Sequence, residues 1–144
     1  MKDARTRVAQ ALNPLSSEFK LISGQMLKSV FEKKEYGCIE KVIFNFEDAS
    51  LVVFANGDDD TIDFKIVKIS DHSNDDTDRD VSSRNPWDQF IGRRFCWGWM
   101  AIDQQGYLDS ILLSFDIIFP NLILNVAASS IDIGIIIQIN TRGC

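Results

Sequence analysis

Two stretches of the chain, EYGCIEKVIFNF at 35–46 and QQGYLDSILLSF at 104–115, follow one pattern. Each has a glycine (Gly37, Gly106), one residue, then an aliphatic–acid pair: Ile39-Glu40 and Leu108-Asp109. Each then alternates apolar and other residues as far as a phenylalanine, Phe46 or Phe115. The echo extends outward in both directions. Gly24 lies thirteen residues before Gly37, and Gly92 fourteen before Gly106. SLVVFA follows Phe46 and NLILNVA follows Phe115; TIDF at 61–64 is answered by SIDI at 130–133. A pattern recurring in one order at this spacing predicts an internal duplication, with repeat one over 24–68 and repeat two over 92–139.

Within each repeat the period is two, which predicts strands. In the first repeat they fall at 26–33, 38–46, 50–55 and 59–67, and in the second at 94–103, 107–116, 121–128 and 130–139. These runs are rich in Val, Ile and Phe, which suit a pleated, half-buried surface. Asn56-Gly57 reads as a tight hairpin, because both central residues of its favoured turn need positive φ. Val42, Phe44 and Phe46 share one face of their strand, as do Ile111, Leu113 and Phe115, and both sets are expected in the core. IDIGIIIQI at 131–139 is apolar on both faces. It should therefore be central in its sheet, covered on its second side, or paired with the same strand of another copy as a homodimer.

Residues 2–12 place Val8, Ala9 and Leu12 at helical spacing before Pro14, so a short N-terminal helix is expected. DHSNDDTDRDVSSRNP at 71–86 holds five Asp and little to bury; with its flanks (69–91) it reads as an acidic, solvated linker. The fold class expected is mainly β with one short helix. Two tandem four-stranded antiparallel meanders would pack as a barrel-like sheet or a sandwich, all within one domain.

The net charge of −6 disfavours nucleic acid, which is bound by clustered Lys and Arg. No run is clean enough for a membrane span, since 110–137 is interrupted by Asp116, Pro120, Asn121, Asn125 and Asp132. Cys38, Cys96 and Cys144 are odd in number and far apart, and the N-terminus lacks a signal-peptide core. Both point to a reduced, cytoplasmic protein with inert thiols.

The chemistry-bearing residues are few. His72, the single histidine, sits in the polar linker, so the commonest general base is removed from consideration. Asp76, Asp78 and Asp80 mimic the start of a calcium loop, but Val81 stands where its glycine is needed and Trp87 where its bidentate Glu is needed. No catalytic set, metal site or cofactor is expected. Glu40 with Asp109, and Asp63 with Asp132, recur in both repeats; structural use is the simpler reading, and a carboxylate pair between the repeats the sharper one. Asp58, Asp59, Asp60 and Asp63 form an acidic cluster suited to a basic partner. In FCWGWM, Phe95, Trp97 and Trp99 are read as sharing one strand face, where aromatics usually mean core but can anchor an interface. Finally, DIIFPN at 116–121 puts Ile117, Ile118 and Phe119 at a turn whose counterpart, EDAS at 47–50, is polar and two residues shorter.

Five segments, GQMLKSV, DDDTIDF, WDQFIG, WGWMAIDQQGYLDSILLSF and AASSI, resemble a family of short, uncharacterised bacterial proteins of unknown function. The resemblance spans roughly 24–139 and implies no activity. By general type, a small acidic chain without catalytic motifs also resembles toxin-immunity proteins. The function expected is therefore protein binding. An immunity-type inhibitor would capture a basic toxin domain through Asp58, Asp59, Asp60 and Asp63, with Trp97, Trp99, Ile118 and Phe119 as anchors. The alternatives are a small-ligand protein or enzyme with its pocket between the repeats, and a homo-oligomeric structural protein.

Overall fold

The computed structural model describes residues 17–56, 60–69 and 77–136. Nine strands follow in order: β1 Ser29–Glu35, β2 Cys38–Asn45, β3 Ala49–Asn56, β4 Thr61–Lys68, β5 Asp78–Asp80, β6 Phe95–Ile102, β7 Leu108–Phe115, β8 Leu122–Ala127 and β9 Ser130–Ile135. They form two antiparallel sheets, β4-β3-β2-β1-β5 and β6-β7-β8-β9. Each meander of the sequence is one sheet. The two pack face to face, β9 against β2 and β7 against β4, and do not close into a barrel. The expected helix over 2–12 lies outside the described residues.

The sheets meet at one corner, where an isolated antiparallel bridge joins Met26 to Arg94. Four backbone hydrogen bonds there are reciprocal. Gly24 N–H donates to Phe95 O and Gly92 N–H to Leu27 O; Leu27 N–H donates to Arg93 O and Phe95 N–H to Gln25 O. Both glycines have positive φ, 84° and 85°, which a side chain would strain. Met26 and Arg94 occupy matching places in the sequence echo, and so do Phe46 and Phe115, whose rings stack at 6.4 Å. At the other end of the strands Ser129 N–H donates to the Asp60 carboxylate at 2.7 Å, again between matching positions. Three such pairs in contact define a pseudo-twofold axis running between the sheets.

Alternation sorts the core as expected: Val42, Phe44, Phe46, Ile111, Leu113 and Phe115 are all buried. Three expectations need correction. First, the acidic segment is not all solvated linker. Asp78–Asp80 pairs with β1, Lys33 opposite Asp78 and Phe31 opposite Asp80, and Val81 and Trp87 are buried beyond it. Second, Phe95 does not share a face with Trp97 and Trp99. A register shift between Phe95 and Trp97 inserts one residue, so Phe95 faces the core opposite Phe115, while Trp97 pairs with Ser114 and Trp99 with Leu112. Third, of the three places expected for the apolar run at 131–139, the central one is overturned: β9 is the edge of its sheet. Over its described length it is one-faced: Ile131 and Ile133 pack on the core, while Asp132 and Gly134 alternate with them.

The bulge places Gly98, not Trp99, inward. A Cβ there would lie 2.6 Å from Cε1 and Cζ of Phe19. Phe19 is held by a stacked Phe64 ring at 4.8 Å and a Phe95 ring at 6.0 Å, so it has little room to yield. Gly98→Ala should therefore destabilise the fold by about 1–3 kcal/mol, although alanine is ordinarily the better strand residue. Urea unfolding checks this. The penalty should shrink in a Phe19→Leu background, and an equal penalty in both backgrounds would show that the ring is not what the methyl meets.

Candidate functional site

The β7–β8 turn is the most pronounced apolar projection among the described residues. Asp116 opens it with φ 67°, and Ile117, Ile118 and Phe119 follow at 42%, 63% and 57% exposure. Its base is fixed. Asn121 substitutes for a strand neighbour: Phe115 N–H donates to its Oδ1 and its Nδ2 donates to Phe115 O, both at 3.0 Å. Arg94 N–H donates to Asp116 Oδ1 at 3.1 Å, Asp116 N–H donates to Arg94 O at 2.8 Å, and Arg93 Nε lies 3.8 Å from Asp116 Oδ2. The side chains at the tip are thus presented from a clamped base, which lowers the ordering cost of any contact they make.

Beside the tip, Ile136 N–H donates to Asn121 O at 3.1 Å and brings Ile135 and Ile136 alongside. A hollow of about 230 Å³ lies between the turn, these two residues and Phe90, with Arg93 over the Phe90 ring at 5.9 Å. Ile117, Ile118, Phe119, Ile135 and Ile136 make up half of the ten exposed large apolar side chains among the described residues. That clustering separates a patch from the scattered apolar residues any surface carries.

Other sequence candidates lie elsewhere. Asp60 spends its carboxylate on Ser129 N–H, and Asp63 is half-buried and accepts from Phe64 N–H at 2.8 Å. Asp58 and Asp59 fall outside the described residues. Asp60 and the Ile118–Phe119 tip sit at opposite ends of β8, a strand length of about 20 Å apart. Trp97 and Trp99 are half-buried, and Trp97 meets the Phe19 ring edge-on at 6.0 Å. Glu40 pairs with Lys33 at 3.2 Å, while Asp109 accepts from Ser110 Oγ at 3.2 Å, so the contacts of each are local to its own sheet. Among the described residues no His, Cys, Asp and Glu group could hold a metal, and no helix is long and apolar enough to cross a membrane.

Sequence reasoning overlooked the residues that hold the tip, Arg94, Asp116 and Asn121. The acid opening the turn and the Asn closing it were the available signal, since both side chains commonly bond nearby backbone. It also overlooked Glu32, a buried carboxylate that accepts from Trp87 Nε1 at 2.6 Å.

Fold and site together define an antiparallel two-sheet β protein with one clamped apolar projection. A family model described as a family of unknown function, DUF6334, matches residues 13–140, and the chain belongs to that family. No curated protein and no solved structure matches the chain.

Proposed function

We propose that this protein acts by binding another protein, as an immunity-type inhibitor that neutralises a basic toxin domain through direct capture. The observation that carries this reading is the Ile117–Phe119 tip, exposed and apolar yet fixed at its base by Arg94, Asp116 and Asn121. Leaving three large apolar side chains in water on a rigid turn has no benefit for folding, whereas a partner that covers them gains their burial. The net charge of −6 supports a basic partner, since long-range attraction speeds encounter. Ile118 and Phe119 serve as anchors, and Asp58, Asp59, Asp60 and Asp63 act on association rate.

The test begins with capture of the partner by the tagged chain in its native host, followed by calorimetry with that partner purified. Ile118→Asp with Phe119→Asp should weaken binding by about thirtyfold or more, the scale of interface anchors, and leave the unfolding midpoint unchanged. Asp58→Lys with Asp59→Lys should instead slow association and flatten its salt dependence. Undiminished binding by the tip variant would remove the tip from the interface. A wild-type preparation with no stoichiometric partner would remove the inhibitor reading itself.

A further inference from the structure

Glu32 is a buried acid, at 7% exposure. It projects from β1 into the interior, and its Oε2 accepts from Trp87 Nε1. Its Oε1 makes no hydrogen bond or ion pair among the described residues. Glu32 lines a cavity of about 280 Å³, enclosed by Ile39 of β2, Val81 and Trp87 of the connection, and Ile133 of β9. Exposed Lys34 and Arg84 stand at its mouth. No residue of this cavity belongs to the hollow beside the β7–β8 tip.

A carboxylate among apolar walls is costly unless its charge is met, and a single neutral indole donor meets it only in part. The remaining oxygen therefore favours a cationic group. A bare cation would have to pass two positive side chains at the mouth, and a bare anion would meet Glu32 inside. A molecule carrying both charges satisfies both ends. The volume is at the small end of ligand sites, and about half of the wall is apolar, with Asn85 a further polar group on it. We propose that this cavity binds a short aliphatic amino acid, its ammonium against Glu32, its methylenes along Ile39, Val81 and Ile133, and its carboxylate between Lys34 and Arg84. This goes beyond the protein-binding reading and does not depend on it.

The test uses the full chain labelled with nitrogen-15, whose three tryptophans give three indole N–H resonances. Loss of one in Trp87→Phe identifies the reporter. The probes are 5-aminopentanoate, pentylamine and pentanoate, matched in chain length. 5-Aminopentanoate should move the Trp87 resonance saturably, pentylamine more weakly, and pentanoate not at all. Glu32→Gln, which keeps an acceptor for the indole, should weaken 5-aminopentanoate about tenfold or more. Arg84→Ala, at an exposed position, should weaken 5-aminopentanoate several-fold and not weaken pentylamine. Three results would overturn the proposal: pentanoate binding as tightly as 5-aminopentanoate, no loss in Glu32→Gln, or no saturable shift of a well-dispersed spectrum up to about 10 mM.

Discussion

Truncating Phe19 to alanine should remove about 3–5 kcal/mol of stability. This residue belongs to no strand; it sits in the short 3-10 turn Glu18–Leu21 ahead of β1, yet it is fully buried. Its ring stacks on Phe64 of β4 and approaches Phe95 and Trp97 of β6, so one side chain joins both sheets. Gly98 leaves open the space the ring fills, and no neighbouring side chain grows from that point to close it. A chain of this length is stable by about 7–22 kcal/mol, so the loss would be a large share of the total. Urea unfolding should show a lower midpoint with an unchanged slope. A loss below about 1 kcal/mol would mean that the turn is an appendage rather than part of the core.

The second large effect concerns Glu32 and Trp87. Trp87 is buried, meets Phe44 edge-to-face at 5.5 Å and supplies the N–H that Glu32 accepts. Trp87→Phe keeps an aromatic ring but deletes that donor, and should cost about 2–4 kcal/mol because a buried carboxylate loses its partner. Adding Glu32→Leu to Trp87→Phe should recover more than half of the loss. In the wild-type background the same Glu32→Leu should destabilise by about 1–3 kcal/mol, since it leaves the indole N–H unpaired. Simple additivity of the two substitutions would show that their hydrogen bond carries none of the energy.

Much of the architecture was legible because local signals and the core agreed. Seven of the eight strands read from alternation stand within about three residues of those observed; the eighth starts at Ser130 as expected, and its expected end at 139 lies outside the described residues. The alternating phenylalanines fall inward as their spacing requires. What escaped was non-local. Nothing near Asp78 announces a strand: Asp-Arg-Asp is polar at every position, yet it pairs along the edge β1 offers, with the Asp78 carboxylate also meeting Lys41 of β2 at 3.4 Å. The phase error at Trp97 has the same origin, since one inserted residue reverses every face after it and the sequence does not mark which residue is extra. Glu32 and Trp87 are fifty-five residues apart and meet only once the connection folds back. Of the candidate site, Ile118 and Phe119 were visible from the contrast between DIIFPN and EDAS. Asp60, expected to face a partner, also has a structural use: an aspartate in a turn bonds backbone readily, and here it accepts from Ser129 N–H.

The pseudo-twofold axis relates the β7–β8 turn to the β2–β3 turn, and the two are chemically unlike. Where one presents Ile117, Ile118 and Phe119, the other presents Glu47 and Asp48, with Asp48 N–H donating to Gln25 Oε1. A true twofold dimer displays every feature twice and could bridge two partners. This chain has the geometry of such a pair but one apolar tip among the described residues, so in the binding role proposed above its valence for a partner would be one. Even against a multivalent target it would cap each site singly and would not cross-link.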